Sequence, residues 1–285
     1  MIERTPWLNF ATHAILFVGL FILVVPIYLV IVAASQTLPD VMAIPAKLLP
    51  GDQLLVNIRA AWEEAEFGTK FTNTMILATG VVVGKIVIAM LTAFGIVFFN
   101  HRLRMPIFWM VFITLMLPLE VRIVPTYAVA ANALSPFQTI LEVTGLSWLI
   151  NAVSGNKLAL QWNLLNSYTG LIMPLVATAT GTFLYRQFFL TIPDELVEAA
   201  KMDGAGPLRF LWDILIPLSR TNMAALATIM FVVGWNQYLW PLLIITEPSY
   251  GVAAVELSRL VPNMNTTGGD IPNWHWAMAL SLIHI

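Results

Sequence analysis

Residues 191–220 read TIPDELVEAAKMDGAGPLRFLWDILIPLSR and separate two long apolar runs. The stretch predicts two short helices joined by a turn. Thr191 and Asp194 have the spacing of a capping box, and Pro193 falls in a first turn, where a missing N–H costs little. Asp194 and Glu195 complement the positive end of the helix dipole. The first helix carries Glu198-Ala199-Ala200 and runs to Gly204, a residue suited to a left-handed cap. Gly206-Pro207 starts the second helix, with Phe210, Leu211, Ile214 and Leu215 at helical spacing, and Pro217 marks its end. A chain that only had to cross a bilayer would not need this interlude, so contact with something outside the membrane is expected here.

The remainder of the chain reads as membrane. Hydrophobic residues make up 59% of the 285 and charged residues 11%, with a mean hydropathy of +0.81. Soluble domains carry about 25% charge, and a water-exposed surface could not be built from so little. A net charge of −2 gives no basic bulk for nucleic acid, and the lack of cysteine removes disulfides, thiolate metal sites and cysteine nucleophiles.

A spanning helix needs roughly 20 mainly apolar residues. Five segments qualify: residues 14–34, 74–99, 106–131 (interrupted by Pro118 and Pro125), 168–190 and 223–245. A sixth begins near Trp274 and reaches Ile285 after about 12 residues, roughly 18 Å of helix against a hydrocarbon core of about 30 Å. The expectation is therefore an all-α, polytopic bundle forming a single domain over residues 1–285. Six spans are expected, the last one truncated, with a half-span packed against protein as the alternative. The first span has a basic start at Arg4 and small residues Ala33-Ala34-Ser35, but its apolar run is too long for a signal peptide, so retention is expected.

Loop charges orient the bundle. Arg4, Arg102, Arg104, Arg186, Lys201, Arg209 and Arg220 fall on one side, against Lys47, Arg59, Lys70, Lys157 and Arg259 in longer loops on the other. The short loop His101–Arg104 is dense in positive charge, while segment 36–72 also holds Asp40, Asp52, Glu63, Glu64 and Glu66. This places the N-terminus, the 100–105 loop and the 191–220 loop in the cytoplasm.

The gapped pattern Glu198-Ala199-Ala200, three residues, Gly204, nine residues, Ile214, one residue, Ile216-Pro217 resembles the signature loop of permease subunits in bacterial ABC importers, with Ile216 where that pattern has Leu. The runs Phe112–Pro118, Glu120-Val121-Arg122, Phe188-Phe189, Pro193–Ala200 and Gly234–Leu242 are similar to the maltose-permease-like, MetI-like branch, and within it to glycerol-phosphate permeases. The likeness covers most of residues 1–280, with segment 136–167 longer than the corresponding connection.

The resemblance implies a permease moving sn-glycerol-3-phosphate or related glycerophosphodiesters by alternating access in the bacterial inner membrane. It implies a second permease, two copies of an ATPase subunit and a periplasmic binding protein as partners. It makes Glu198, Ala199, Ala200, Asp203, Gly204 and Pro217 the ATPase-coupling positions. ATP and Mg are expected on the ATPase and no cofactor, metal or catalytic residue on this chain, which carries no nucleotide-binding motif. Gly80-Val-Val-Val-Gly84-Lys85 lacks the spacing and following Ser or Thr of a phosphate loop, and its glycines fit a close helix–helix contact instead.

Polar residues inside the spans are candidates for the substrate pathway. Lys85 lies about eleven residues into the second span, a costly depth for charge that usually means a bundle interior or water path. Glu120 and Arg122 sit between Pro118 and Pro125, and prolines mark broken helices that line cavities. Arg122 either binds a phosphate, which its planar guanidinium matches in a bidentate way, or forms with Glu120 a structural cluster at the break. Asn236 and Gln237, flanked by Trp235, Tyr238 and Trp240, either bond across a helix interface or line the pathway. His13, His101, His275 and His284 have no ligand or triad spacing.

Three other classes compete. A stand-alone secondary transporter predicts internal repeats and several intramembrane carboxylates, and Glu120 is the main acidic candidate. A membrane enzyme needs a convergent set of catalytic groups at one depth, and none is visible. An importer of maltose-type oligosaccharides would share the loop and differ only in the pathway.

Overall fold

Apolar runs of this length have one way to satisfy their backbone in lipid, and the chain takes it: among the described residues every regular element is a helix. The computed structural model describes residues 6–114, 117, 119–154, 160–177, 179–260 and 273–284, with the side chains of Leu119, Glu120 and Ser154 outside that description. The chain divides into two units, residues 1–71 with 253–285, and residues 72–252.

In the first unit, α1 (Pro6–Ser35) is a single helix of 30 residues, roughly 45 Å long and ample for a bilayer. Nearly all its apolar side chains point outward, Trp7 through Ile31, and only Val32, Ala34 and Ser35 at its end are buried. Such a surface requires lipid or another membrane helix as its solvent. The short α2 (Leu38–Val41) and α3 (Leu54–Glu64) follow, then the start of α4 (Phe67–Phe98). The connection is pinned by amides: Gln36 Nε2 donates to the carbonyls of Lys47 and Leu49, and Asn57 Nδ2 to those of Ala34 and Gln36. Asp40 pairs with Lys47, and that hydrogen bond holds the Asp40 carboxyl below its ordinary range. From the far end of the chain come α16 (Ala253–Leu260) and α17 (Trp274–His284), and α17 packs against α1, α3 and α16. Ala61, Phe67, Ala253 and Leu280 form the buried centre.

The second unit continues α4 through Phe98 and adds α5 (Arg104–Ile113), α6 (Leu119–Ala131), α7 (Ser135–Val143) and α8 (Leu146–Ser154). It goes on with α9 (Tyr168–Val176), α10 (Ala179–Phe189) and α11 (Asp194–Met202), then α12 (Pro207–Phe210), α13 (Ile216–Leu218), α14 (Arg220–Trp235) and α15 (Leu239–Ile244). Three expected spans are thus each two helices. Segment 106–131 breaks after Ile113 and resumes at Leu119, segment 168–190 breaks at Ala177, and segment 223–245 breaks at residues 236–238. Pro125 sits inside α6 without ending it. Pro174 inside α9 cannot donate to the Gly170 carbonyl four residues back, and the buried Trp240 indole fills the gap, donating to that oxygen at 3.1 Å. The glycines of α4 make the close contact expected of them. A Cβ at Gly80 would meet Ile172 and one at Gly84 would meet Val176, each at 2.6 Å, so α9 rests directly on the α4 backbone.

The loops of this unit gather at opposite ends of α4. Near its start, Asn73 Nδ2 donates to the carbonyls of Ser249 and Gly251 and its Oδ1 accepts from Tyr168. Ala133 N–H donates to Trp162 O at the end of α6, and Asn166 Oδ1 accepts from the N–H groups of Thr246 and Glu247 at the start of α9. Twenty-five residues on, roughly 37 Å along the helix, Phe98 meets Phe189 and Phe210. Residues 190–219 therefore lie at the end of α4 away from 246–251.

Candidate functional site

The 191–220 segment folds as a helix, a tight turn and a second helix. α11 starts after Pro193, which occupies the capping position with no side-chain bond. Thr191 does not cap it: the Thr191 hydroxyl donates backward to the Phe188 carbonyl at 2.7 Å, closing the end of α10 instead. At the other end the expectation is met in detail. Asp203 is the last residue of the helix cap, Gly204 has φ +72°, and two bonds close the turn: Gly204 N–H to Lys201 O at 3.0 Å and Ala205 N–H to Ala200 O at 2.9 Å. This reciprocal pair satisfies carbonyls that would otherwise be orphaned.

The second helix differs from expectation. It passes through Pro217 and ends at Leu218, because residues Leu211–Leu215 widen to i→i+5 bonding, with Ile216 N–H donating to Leu211 O. The wider turn lets a proline, which cannot donate to Asp213, sit inside the helix. At Ser219, fully buried, the chain bends by 73° into α14.

One face of this loop is tied down. Ala200, Phe210, Leu211 and Leu215 are buried in a cluster with Phe94 of α4 and Tyr185 and Phe189 of α10. Phe98 is its hub, with ring centroids 5.3 Å from Phe210 and 5.6 Å from Phe189. The opposite face is open: Glu198, Ala199 and Asp203 are exposed, and so are Met202 (83%), Leu208 (72%) and Trp212 (70%). Six coupling positions named from sequence thus divide, with Ala200 facing the chain's own core and Glu198 and Ala199 facing away.

The pathway candidates divide too. Lys85 of α4 and Arg122 of α6 line one cavity of about 460 Å³, at the breaks between α5 and α6 and between α9 and α10. Thr92, Thr114, Thr180 and Thr182 line the same cavity, with Ile88, Met110, Val111 and Leu117 as apolar wall. Sequence reasoning missed all four threonines. Lys85 Nζ lies 3.7 Å from Met230 Sδ, a weak acceptor. Arg186 of α10 stacks its guanidinium 4.3 Å from the Phe108 ring of α5 and so ties two walls together. Glu120 lies outside the described side chains. Asn236 and Gln237 are at a different break and are not among the cavity's lining. One N–H of each amide bonds locally: Asn236 Nδ2 donates to Val232 O at 2.9 Å and Gln237 Nε2 to Val233 O at 3.2 Å, each four residues back. Among the described residues no group of His, Asp or Glu is arranged to hold a metal.

A helical membrane chain with a packed cap-and-turn loop at one end and broken helices around a cationic cavity can be compared with known proteins. The family described as "Binding-protein-dependent transport system inner membrane component" matches residues 85–283. A protein of Escherichia coli strain K12 named sn-glycerol-3-phosphate transport system permease protein UgpE is 43% identical, covering 99% of this chain and 91% of its own length. The protein of the same name in Salmonella typhi is 44% identical over the same shares. The crystal structure of a bacterial ABC transporter involved in the import of the acidic polysaccharide alginate contains a chain that superposes with a TM-score of 0.74, covering 100% of this chain and 94% of that one at 18% identity, which is a likeness of fold. Fold, sequence and the family's match over most of the chain agree, and this chain belongs to the inner membrane components of binding-protein-dependent transport systems.

Proposed function

We propose that this chain is one permease of an ATP-driven importer that carries sn-glycerol-3-phosphate, or a related glycerophosphodiester, across the bacterial cytoplasmic membrane. The observation that carries the cargo is the 43% identity along 99% of the chain to permeases named for that substrate. The partners in this reading are a second permease, two copies of an ATPase and a periplasmic binding protein. ATP and Mg act on the ATPase, and no chemical step is assigned to this chain. The N-terminus and residues 191–220 face the cytoplasm.

The loop geometry supports a mechanical role. Its exposed face, with Glu198, Ala199, Met202 and Leu208, is free to enter a groove on the ATPase. Its buried face, through Ala200 and Phe210, is packed on α4 and α10. A close-packed contact transmits displacement because sliding would open voids. Movement of the ATPase would then pass into α4, which carries Lys85, and into α10, which carries Thr180 and Thr182, so that the cavity is exposed to one side of the membrane and then the other.

The test is reconstitution of the full complex in proteoliposomes with binding protein outside and ATP inside. Uptake of labelled sn-glycerol-3-phosphate that stops when ATP is withheld is the expected result. Uptake that persists without ATP would make the chain a secondary transporter. ATP-driven uptake of a maltose-type oligosaccharide in place of glycerol phosphate would move the cargo.

A further inference from the structure

We propose that the cavity walled by α4, α5, α6 and α10 is a mid-membrane station for the phosphoryl group of a phosphate monoester, held between Lys85 and Arg122. It rests on the reading of this chain as a glycerol-phosphate permease, and it names the residues and the charge state that the pathway is built to take.

Two positive charges on one intramembrane cavity are costly, and charged residues at such depth pair with one another or with a ligand. Lys85 stands twelve residues after Asn73 and thirteen before Phe98, roughly 18–20 Å from either end group along α4. Among the described side chains, which do not include Glu120, neither Lys85 nor Arg122 enters an ion pair. An anion inside the cavity offsets both charges at once. A phosphate monoester carries about −1.5 to −2 at pH 7, so it matches two cations where a diester matches one and a neutral sugar matches none. The guanidinium offers a planar pair of donors and the ammonium a compact point charge, the two complementary ways of meeting a phosphate.

The rest of the lining suits the rest of such a molecule. Thr92 and Thr180 line the cavity with hydroxyls that can both donate and accept, as the hydroxyls of a glycerol moiety require, and Thr114, whose hydrogen goes to Val111 O, keeps its oxygen as an acceptor. Ala179 and Thr180 line the cavity from the first turn of α10, so the positive end of that helix adds to the field. A volume of about 460 Å³ falls within the range of roughly 300–1,000 Å³ common for small-molecule sites.

The experiment uses the full complex in proteoliposomes with Lys85→Gln, Arg122→Gln, the double variant and the charge-keeping Arg122→Lys. Each Gln variant is expected to lower monoester uptake at least about tenfold, the scale of one lost hydrogen bond to a charged group, and to lower diester uptake less. Arg122→Lys is expected to recover part of the loss. The amount of assembled complex is measured alongside, and uptake must follow the charge at 122 while assembly does not. A second readout needs no cargo. The chain has no cysteine, so Thr180→Cys places one thiol of this chain in the cavity. An anionic methanethiosulfonate is expected to modify it faster than a cationic one, and that preference is expected to vanish in the Lys85→Gln/Arg122→Gln background. If the wild type moves no glycerol phosphate but the thiol still prefers the anionic reagent, the cargo reading fails and the anion site stands. Reagent preference that ignores the two cations, or wild-type uptake by the double variant, overturns the site.

Discussion

The loop at residues 191–220 and the cavity around Lys85 are held by opposite means. The loop presses Phe210, Leu211 and Leu215 into aromatic rings from α4 and α10, leaving beside them a mostly apolar pocket of about 140 Å³ lined by Phe94, Phe98, Ala200 and Phe210. The cavity is walled by two cations, four threonines and the interrupted ends of two helix pairs. Dense apolar packing resists sliding and so carries force. Broken helices free polar groups and leave room, which a passing solute needs. Within one unit the chain is stiff where energy would enter and open where cargo would pass.

The most damaging change to this contrast is Phe210→Ala. The side chain is buried and meets Phe98 edge-on, so its removal is expected to weaken the loop's anchorage by about 3–5 kcal/mol. Amide hydrogen exchange in the intact complex reads the effect: protection falls across residues 194–218 and is unchanged in α6. ATP hydrolysis that continues without uptake is the expected functional trace. Unchanged exchange in the loop would show that something other than the aromatic cluster holds it.

A smaller effect is expected beside the cavity. Gly84 precedes Lys85, and a Cβ there would already stand 2.6 Å from Val176 Cγ2. Gly84→Val forces α4 and α9 apart, at about 1–3 kcal/mol for overpacking, read as a lower Tm of the purified complex. Val176→Ala added to it is expected to restore most of the loss. If the second change worsens the first, the two helices do not share that contact.

The loop was legible in sequence because its signals are contiguous. Asp194 and Glu195 at a helix start and Gly204 at a helix end each act within a few residues, and Gly204 does adopt φ +72°. The two misreadings there are also local. The first helix starts after Pro193, two residues past Thr191, whose hydroxyl donates to Phe188 O, and the second helix runs one residue beyond Pro217 after a widened turn. The spans were legible as apolar runs, and Pro118 signalled the interruption of segment 106–131, whereas the breaks at Ala177 and at residues 236–238 carried no such signal. Hydropathy falls where α9 gives way to α10, from Leu171–Val176 to residues 177–182, but only to small residues and threonines with no charge among them, and the proline nearby, Pro174, lies inside α9 with the Gly170 carbonyl it frees served by Trp240 from another helix. In the cavity, Lys85 and Arg122 stood out because charge is rare in such runs. The threonines did not, since a threonine in an apolar helix usually bonds its own backbone, as Thr114 does to Val111 O and Thr126 to Arg122 O. Asn236 and Gln237 take that same local option with one amide N–H each.

The mildest test bears on the turn alone. Gly204 lies in the left-handed region, and a Cβ built on it meets nothing within 4 Å. Any cost of Gly204→Ala is therefore a cost of backbone conformation, about 1–2 kcal/mol for an L-residue there, with no steric part. Gly204→Asn should cost less, because asparagine tolerates this conformation. Exchange should quicken at the two amides that close the turn, Gly204 and Ala205, whose acceptors are Lys201 O and Ala200 O. The Phe98–Phe210 contact lies outside the turn, so residues 210–218 should keep their protection. Loss confined to the turn, set against the loss throughout the loop from Phe210→Ala, would separate the cap that shapes the loop from the aromatic packing that anchors it. If Gly204→Ala instead unlocks the whole segment, cap and packing form one cooperative unit, and the rigidity ascribed to the aromatic cluster belongs to the turn as well.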